Sequence, residues 1–113
     1  MLNLPSRLFL CAAPTDMRKS FDRLAALVKD DLKGDPMSGD GFLFCNRARD
    51  RVKLLYWDGD GFALWLKRLE EGVFRVPAPE AGVIEMNAEE LSLLLSGMDW
   101  TRIARRRRVA VGV

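Results

Sequence analysis

The chain reads as a single α+β domain: an antiparallel β-meander of about four or five strands, one long helix packed on a face, and a second short C-terminal helix. Three observations predict this. Residues 17–32 place apolar side chains at helical spacing. Residues 42–76 are a succession of short apolar runs cut by polar, glycine-bearing turns. Near residue 90 an Asn-x-x-Glu pair opens a leucine-rich run. With 113 residues there is room for one modest core. The domain is expected over residues 1–100, with 101–113 a loose basic arm.

Leu8 to Cys11 is a short apolar run suited to a buried strand, closed by Pro14. Thr15 or Asp16 can cap a helix whose stripe is Met17, Phe21, Leu24, Ala25, Val28 and Leu32. Gly34 is expected to end it, and Pro36 forbids its continuation. After the turn-forming stretch 35–41, Phe42 to Cys45 reads as a strand, Asn46 to Asp50 as a turn, and Arg51 to Trp57 as the returning strand. Asp58-Gly59-Asp60-Gly61 turns the chain into Phe62 to Leu69, and Glu70-Glu71-Gly72 turns it again into Val73 to Val76. Val83-Ile84 adds a brief strand. Asn87 with Glu90 forms a capping box for a helix carrying Leu91, Leu94, Leu95 and Met98, ended by Gly97.

Composition excludes several chemistries. The chain has no histidine, so neither a Ser-His nor a Cys-His nucleophile pair can be built. Cys11 and Cys45 sit in apolar strand-like runs, where cysteine behaves as a small buried hydrophobe, and two thiols fall short of a structural zinc site. No apolar run approaches the ~20 residues of a membrane span, and the stretch around Leu8–Ala13 is too short for a secretory core. A cytoplasmic protein without cofactor or membrane contact is expected. The net charge of +2 is unevenly placed. Residues 1–98 carry 13 basic and 15 acidic side chains, whereas residues 99–113 carry five arginines against Asp99.

Two basic clusters are candidate nucleic-acid contacts. Arg47, Arg49, Arg51 and Lys53 run through the first hairpin, and strand alternation sets Arg51, Lys53, Leu55 and Trp57 on one face. Cations for phosphates and a ring able to stack on bases, here Trp57, are what such a surface needs. Against that stands a solvated hairpin whose arginines guard an edge. The second cluster is Arg102, Arg105, Arg106, Arg107 and Arg108 in the arm. The strands from Leu54 to Leu66 are apolar on both faces. The face away from the first helix therefore takes a second copy or a larger protein, or is covered by the second helix. Asp58-Gly59-Asp60-Gly61 resembles the start of a calcium loop, but Phe62 and Leu69 stand where further oxygen ligands belong. A metal-dependent nuclease built on Asp58, Asp60 and Glu70 or Glu71 would sit on a hairpin tip with no enclosing pocket.

Asp16-Met17-Arg18-Lys19-Ser20-Phe21-Asp22 followed by Leu24-Ala25-Ala26-Leu27-Val28 resembles the amino-terminal signature of the insertion sequence 66 accessory proteins, often called TnpB. Asp35-Pro36, Ser38-Gly39, Asn46-Arg47, Asp50-Arg51 and the block Lys53 to Phe62 are similar to that family's central segment. Lys67-Arg68-Leu69-Glu70, Gly72, Phe74 and Pro77 continue it, and Leu94-Leu95, Gly97 and Asp99-Trp100 resemble its close. The resemblance covers about residues 8–100. Met37 stands where an aromatic residue is commoner, and Ala48 interrupts a run that is usually more basic. The resemblance implies a non-catalytic helper of DNA transposition, encoded beside a separate transposase. Strand-transfer chemistry belongs to that larger enzyme, and no catalytic residue carries over. The expected partners are the transposase of the same element and DNA, with a second copy of the chain as a further possibility. The competing readings are a protein-interaction module without DNA contact and the small nuclease above.

Overall fold

The computed structural model describes residues 5–101. The elements are β1 (Leu8–Cys11), α1 (Phe21–Asp30), β2 (Gly41–Cys45), β3 (Arg51–Trp57), β4 (Phe62–Arg68), a 3-10 turn at Pro79–Ala81, β5 (Val83–Met86) and α2 (Ala88–Leu95). The five strands form one sheet in the order β4-β3-β2-β1-β5. The α+β class, the β2-β3-β4 meander and both helices stand as the sequence predicts.

The sheet is mostly antiparallel, with one exception the sequence pattern does not show. β1 and β2 run parallel, Leu8 beside Gly41 and Cys11 beside Phe44, with α1 as the crossover between them. Gly41 makes that close approach possible. A Cβ there would lie 2.6 Å from Leu8 Cδ2 and 3.2 Å from Leu54 Cδ1. β5 then pairs antiparallel on the other side of β1, leaving β1 and β2 in the interior of the sheet. Both are buried along their whole length, as interior strands covered on both faces must be.

Each face has its own core. On one, Leu24, Val28 and Leu32 pack against Phe9, Phe42, Phe44 and Leu55. On the other, Leu91 and Leu94 of α2 join Phe74, Val76 and Trp100 over Leu10, Leu43, Leu54 and Tyr56. The face left open by α1 is therefore closed by α2, the segment 73–76 and Trp100. Trp100 is fully buried, and its indole Nε1 donates to the Arg75 carbonyl at 2.8 Å.

Four local expectations are corrected. α1 begins at Phe21, with Ser20 in the N-cap position but its side chain making no capping hydrogen bond, rather than at Met17. The carbonyls of Met17 and Lys19 accept from Lys53 Nζ at 2.7 and 2.6 Å and so do not start a helical ladder. At the other end the left-handed residue is Lys33 (φ 58°), and Gly34 follows it with its N–H on Val28 O. Residues 73–76 form no strand, although Phe74 and Val76 are buried and Val73 and Arg75 exposed as alternation requires. Finally, Gly97 (φ 75°) reverses the chain after α2, so Met98 points outward and Trp100 fills the core in its place. The Asn87–Glu90 capping box is present as expected, with Glu90 N donating to Asn87 Oδ1 at 2.8 Å and Asn87 N to Glu90 Oε1 at 2.9 Å.

Candidate nucleic-acid interface

The parallel strands β1 and β2 end side by side, and Thr15 N donates to Cys45 O at 2.8 Å where the two strands leave the sheet. Past this point lie the β1–α1 loop and the β2–β3 turn, facing one another. The turn is built by Asn46. Its Oδ1 accepts from the N–H groups of Asp50 and Arg51, both at 3.0 Å, and its Nδ2 donates to Asp50 Oδ1 at 2.6 Å. The loop is built by Asp16, whose carboxylate takes the Arg18 N–H at 2.9 Å and the Arg18 guanidinium at 2.7 Å. Hydrogen bonding from that guanidinium and N–H holds the Asp16 carboxyl well below the usual carboxylate range.

Between loop and turn runs an open cavity of about 560 Å³ lined by Asp16, Met17, Arg18, Arg47 and Arg51 among others. A second, of about 530 Å³, lies over β3 and β4 and is lined by Met17, Arg51, Lys53, Leu66, Arg68 and Glu70. Met17 and Arg51 belong to both, so the two adjoin on the α1 side of the sheet, and together they are called the trough. Five cations line it against two carboxylates. Both carboxylates are engaged by arginines of the trough itself: Asp16 with Arg18 at 2.7 Å and Glu70 with Arg68 at 2.9 Å. Among the described residues Arg47 and Arg51 have no ion-pair partner.

Arg51 and Arg68 are direct cross-strand partners. Side chains so placed share a face with their Cβ atoms about 5 Å apart, and like charges in that position oppose folding unless anions offset them; Glu70 does so for Arg68, and among the described residues Arg51 has no such partner. The arrangement suits an oxyanion, which two guanidinium groups can bind from both sides.

The predicted cations thus divide. Arg47 and Arg51 are exposed at the trough. Lys53 lines it, but its three donors are largely committed to the Met17 and Lys19 carbonyls. Arg49 turns away from the trough. It holds a left-handed conformation (φ 62°), and its guanidinium donates to the Val76 carbonyl. Trp57 lies at the far end of β3, roughly 20 Å along the strand from Arg51. There it is half-buried and edge-on to Phe62, with ring centroids 5.1 Å apart. Arg102 and Arg105 to Arg108 lie outside the described residues. Sequence reasoning missed Arg18 and Arg68 as members of the site. Counting outward from the Gly59–Asp60 turn pairs residue 51 with residue 68, so Arg68 could have been found.

The acidic groups do not converge. Asp58 and Asp60 sit at the turn before β4 and Glu70 and Glu71 beyond its end, some 20 Å away along the strand. Asp58 Oδ1 accepts from Asp60 N at 3.4 Å and Gly61 N at 3.2 Å, and hydrogen bonding from Asp60 and Gly61 lowers its pKa. Both cysteines are buried and unbridged. Burial pushes the Cys45 thiol up to about 11 and raises that of Cys11 as well.

The pattern that describes the IS66 Orf2-like proteins matches residues 6–105 of this sequence. The chain belongs to that family. It is an Orf2-like accessory protein of an insertion sequence. Two relatives come from Sinorhizobium fredii (strain NBRC 101917 / NGR234). The uncharacterized protein y4jC is 42% identical over 100 residues, 88% of this chain and 86% of its own length. The uncharacterized protein y4hO is 40% identical over 94 residues, 83% of this chain and 82% of its own. No solved structure matches. The trough and the whole of the two-sided core lie inside the matched span. Among the described residues of this IS66 Orf2-like chain, no helix is long and apolar enough to cross a membrane.

Proposed function

We propose that this accessory protein assists transposition without catalysing it, by holding the phosphate backbone of DNA in the arginine trough while it associates with the separate transposase. The observation that carries the reading is the cross-strand Arg51–Arg68 pair, set in a trough whose remaining arginines are Arg18 and Arg47. Residues 1–98 have more acidic than basic side chains. Attraction to DNA from this part of the chain is therefore local to the trough and not a general positive field. Phosphate contacts position a protein on the duplex and read little sequence. That suits a helper whose target choice is set by a partner.

Salt titration of DNA binding tests this. Each phosphate contact adds close to one unit to the slope of log affinity against log salt. Replacing Arg51 and Arg68 together by alanine is expected to reduce that slope by up to ~2 units and to impair transposition. Equal affinity and slope in parent and variant would remove the trough from DNA binding and leave the chain as a protein-interaction module. Co-purification with the element's transposase, with and without the element's terminal DNA, then measures the second half of the proposal.

A further inference from the structure

Among the described residues neither edge strand of the sheet, β4 or β5, pairs with a further strand, but the two are guarded differently. β5 has four residues with Glu85 among them, and Arg7 reaches that glutamate at 3.8 Å. β4 has seven residues, and among the described residues its partner is β3 alone. From Phe62 to Leu66 it carries no charge, and Trp65 and Leu66 are 38% and 55% exposed. Such an edge is a template for another strand.

The order of residues along that edge says which strand. Asp58 and Asp60 precede the apolar run, and Lys67 and Arg68 follow it. A segment that is acidic at one end, apolar in the middle and basic at the other is complementary to itself when reversed. The phase of the backbone agrees. Leu69 N bonds Asp50 O and Asp58 N bonds Gly61 O. By alternation, the inward-facing groups of β4 are those of Ala63, Trp65 and Lys67. The groups of Phe62, Leu64, Leu66 and Arg68 therefore face away from β3.

We infer that a second copy of this chain pairs antiparallel with β4 about a two-fold axis at Leu64, joining two five-stranded sheets into one. In this register Leu64 meets the second copy's Leu64, and Phe62 meets its Leu66. Beyond the paired stretch, the turn that carries Asp60 comes beside the second copy's Arg68. Every outward backbone group from Phe62 to Leu66 gains a partner, apolar residues face apolar residues, and each end closes on an opposite charge. Cross-strand partners share a face, so both α1 helices, and both troughs, lie on the same side of the joined sheet. The pairing is a property of the β4 edge and needs no DNA, although Arg68 belongs to both edge and trough.

Light scattering on a size-exclusion column, over a concentration series, tests the pairing. The parent mass is expected to rise from 12.8 kDa toward twice that value. Leu64→Pro removes an N–H that faces away from β3, a place where an edge strand accepts proline, and is expected to leave a folded monomer. Asp60→Arg and Arg68→Asp are each expected to weaken association at least tenfold, and the two together to restore it. A parent that stays monomeric throughout overturns the inference, as does a folded Leu64→Pro protein that associates like the parent. Should circular dichroism show Leu64→Pro unfolded, the charge exchange decides: a double variant no better than the singles overturns the pairing.

Discussion

The Arg49 guanidinium donates to the carbonyl of Val76, binding the tip of the first hairpin to a segment 27 residues further along the chain. The tie is reinforced by Phe74 N, which bonds Arg49 O at 2.7 Å and so sets the fully buried Phe74 ring in the core beneath α2. An arginine in a basic hairpin is here a structural clamp. Its neighbours Arg47 and Arg51 point the other way, toward the trough.

Arg49→Ala is accordingly expected to cost about 1–3 kcal/mol, the usual loss when a partly buried acceptor is left unmatched. The salt slope of DNA binding should remain that of the parent. Denaturant unfolding and a salt titration on the same protein separate the two effects. A lower slope at unchanged stability would place Arg49 among the phosphate contacts.

Hairpin and second helix were legible in the sequence because their determinants are local. The Gly59–Asp60 turn sets the register of β3 against β4, and Asn87 and Glu90 lie three residues apart and cap each other. Residues 73–76 show where local pattern stops. Their burial alternates as in a strand, yet their backbone finds a turn and an arginine instead of a neighbouring strand. The same limit explains the late start of α1. Met17 lies on the apolar stripe, but its carbonyl is taken by Lys53, which is 36 residues away and invisible to periodicity. Of the candidate site, Arg47 and Arg51 were found from charge alone. Arg18 and Arg68 needed the meeting of β1 with β2 and the completed hairpin.

The two cores offer a paired test. Leu24→Ala deletes a fully buried side chain from the α1 face and is expected to cost about 2–5 kcal/mol. Gly41→Ala adds one methyl where Leu8 Cδ2 would stand at 2.6 Å, and overpacking of this kind costs about 1–3 kcal/mol. Denaturant unfolding measures both. A loss under ~0.5 kcal/mol at position 24 would put that side chain outside the core.

The thiols should be inert in the folded protein. With Cys45 at about 11, roughly one molecule in a thousand carries the thiolate at pH 8. A thiol-reactive dye is expected to label Cys11 and Cys45 slowly in the native state and promptly in denaturant. A raised pKa also has a sign in stability. Burial favours the neutral thiol, so its contribution is complete below the ordinary value of 9.0 and is lost as pH climbs through about 11. Unfolding followed upward from pH 8 is expected to show that alkaline decline, and a Cys45→Ala variant to show less of it.

Calcium and magnesium are expected to leave the Tm unchanged, because Asp58 spends its Oδ1 on the N–H groups of its own turn. Asp58→Asn with Asp60→Asn keeps an acceptor there and should fold like the parent. A rise in Tm with either cation, lost in the double variant, would make the turn a metal site.

β1 is the earliest strand of the sheet to be synthesised and one of the last to be completed. Its parallel neighbour must wait for the whole of α1 to pass, and its other edge stays open until Val83–Met86 has been made. Such distant pairing raises contact order and slows folding. A nascent or truncated chain ending before residue 83 therefore leaves one edge of Leu8-Phe9-Leu10-Cys11 unpaired and, without α2, the Leu8 and Leu10 side uncovered. During production of the protein, that strand is where premature termination would turn into aggregation and where a chaperone would find its grip.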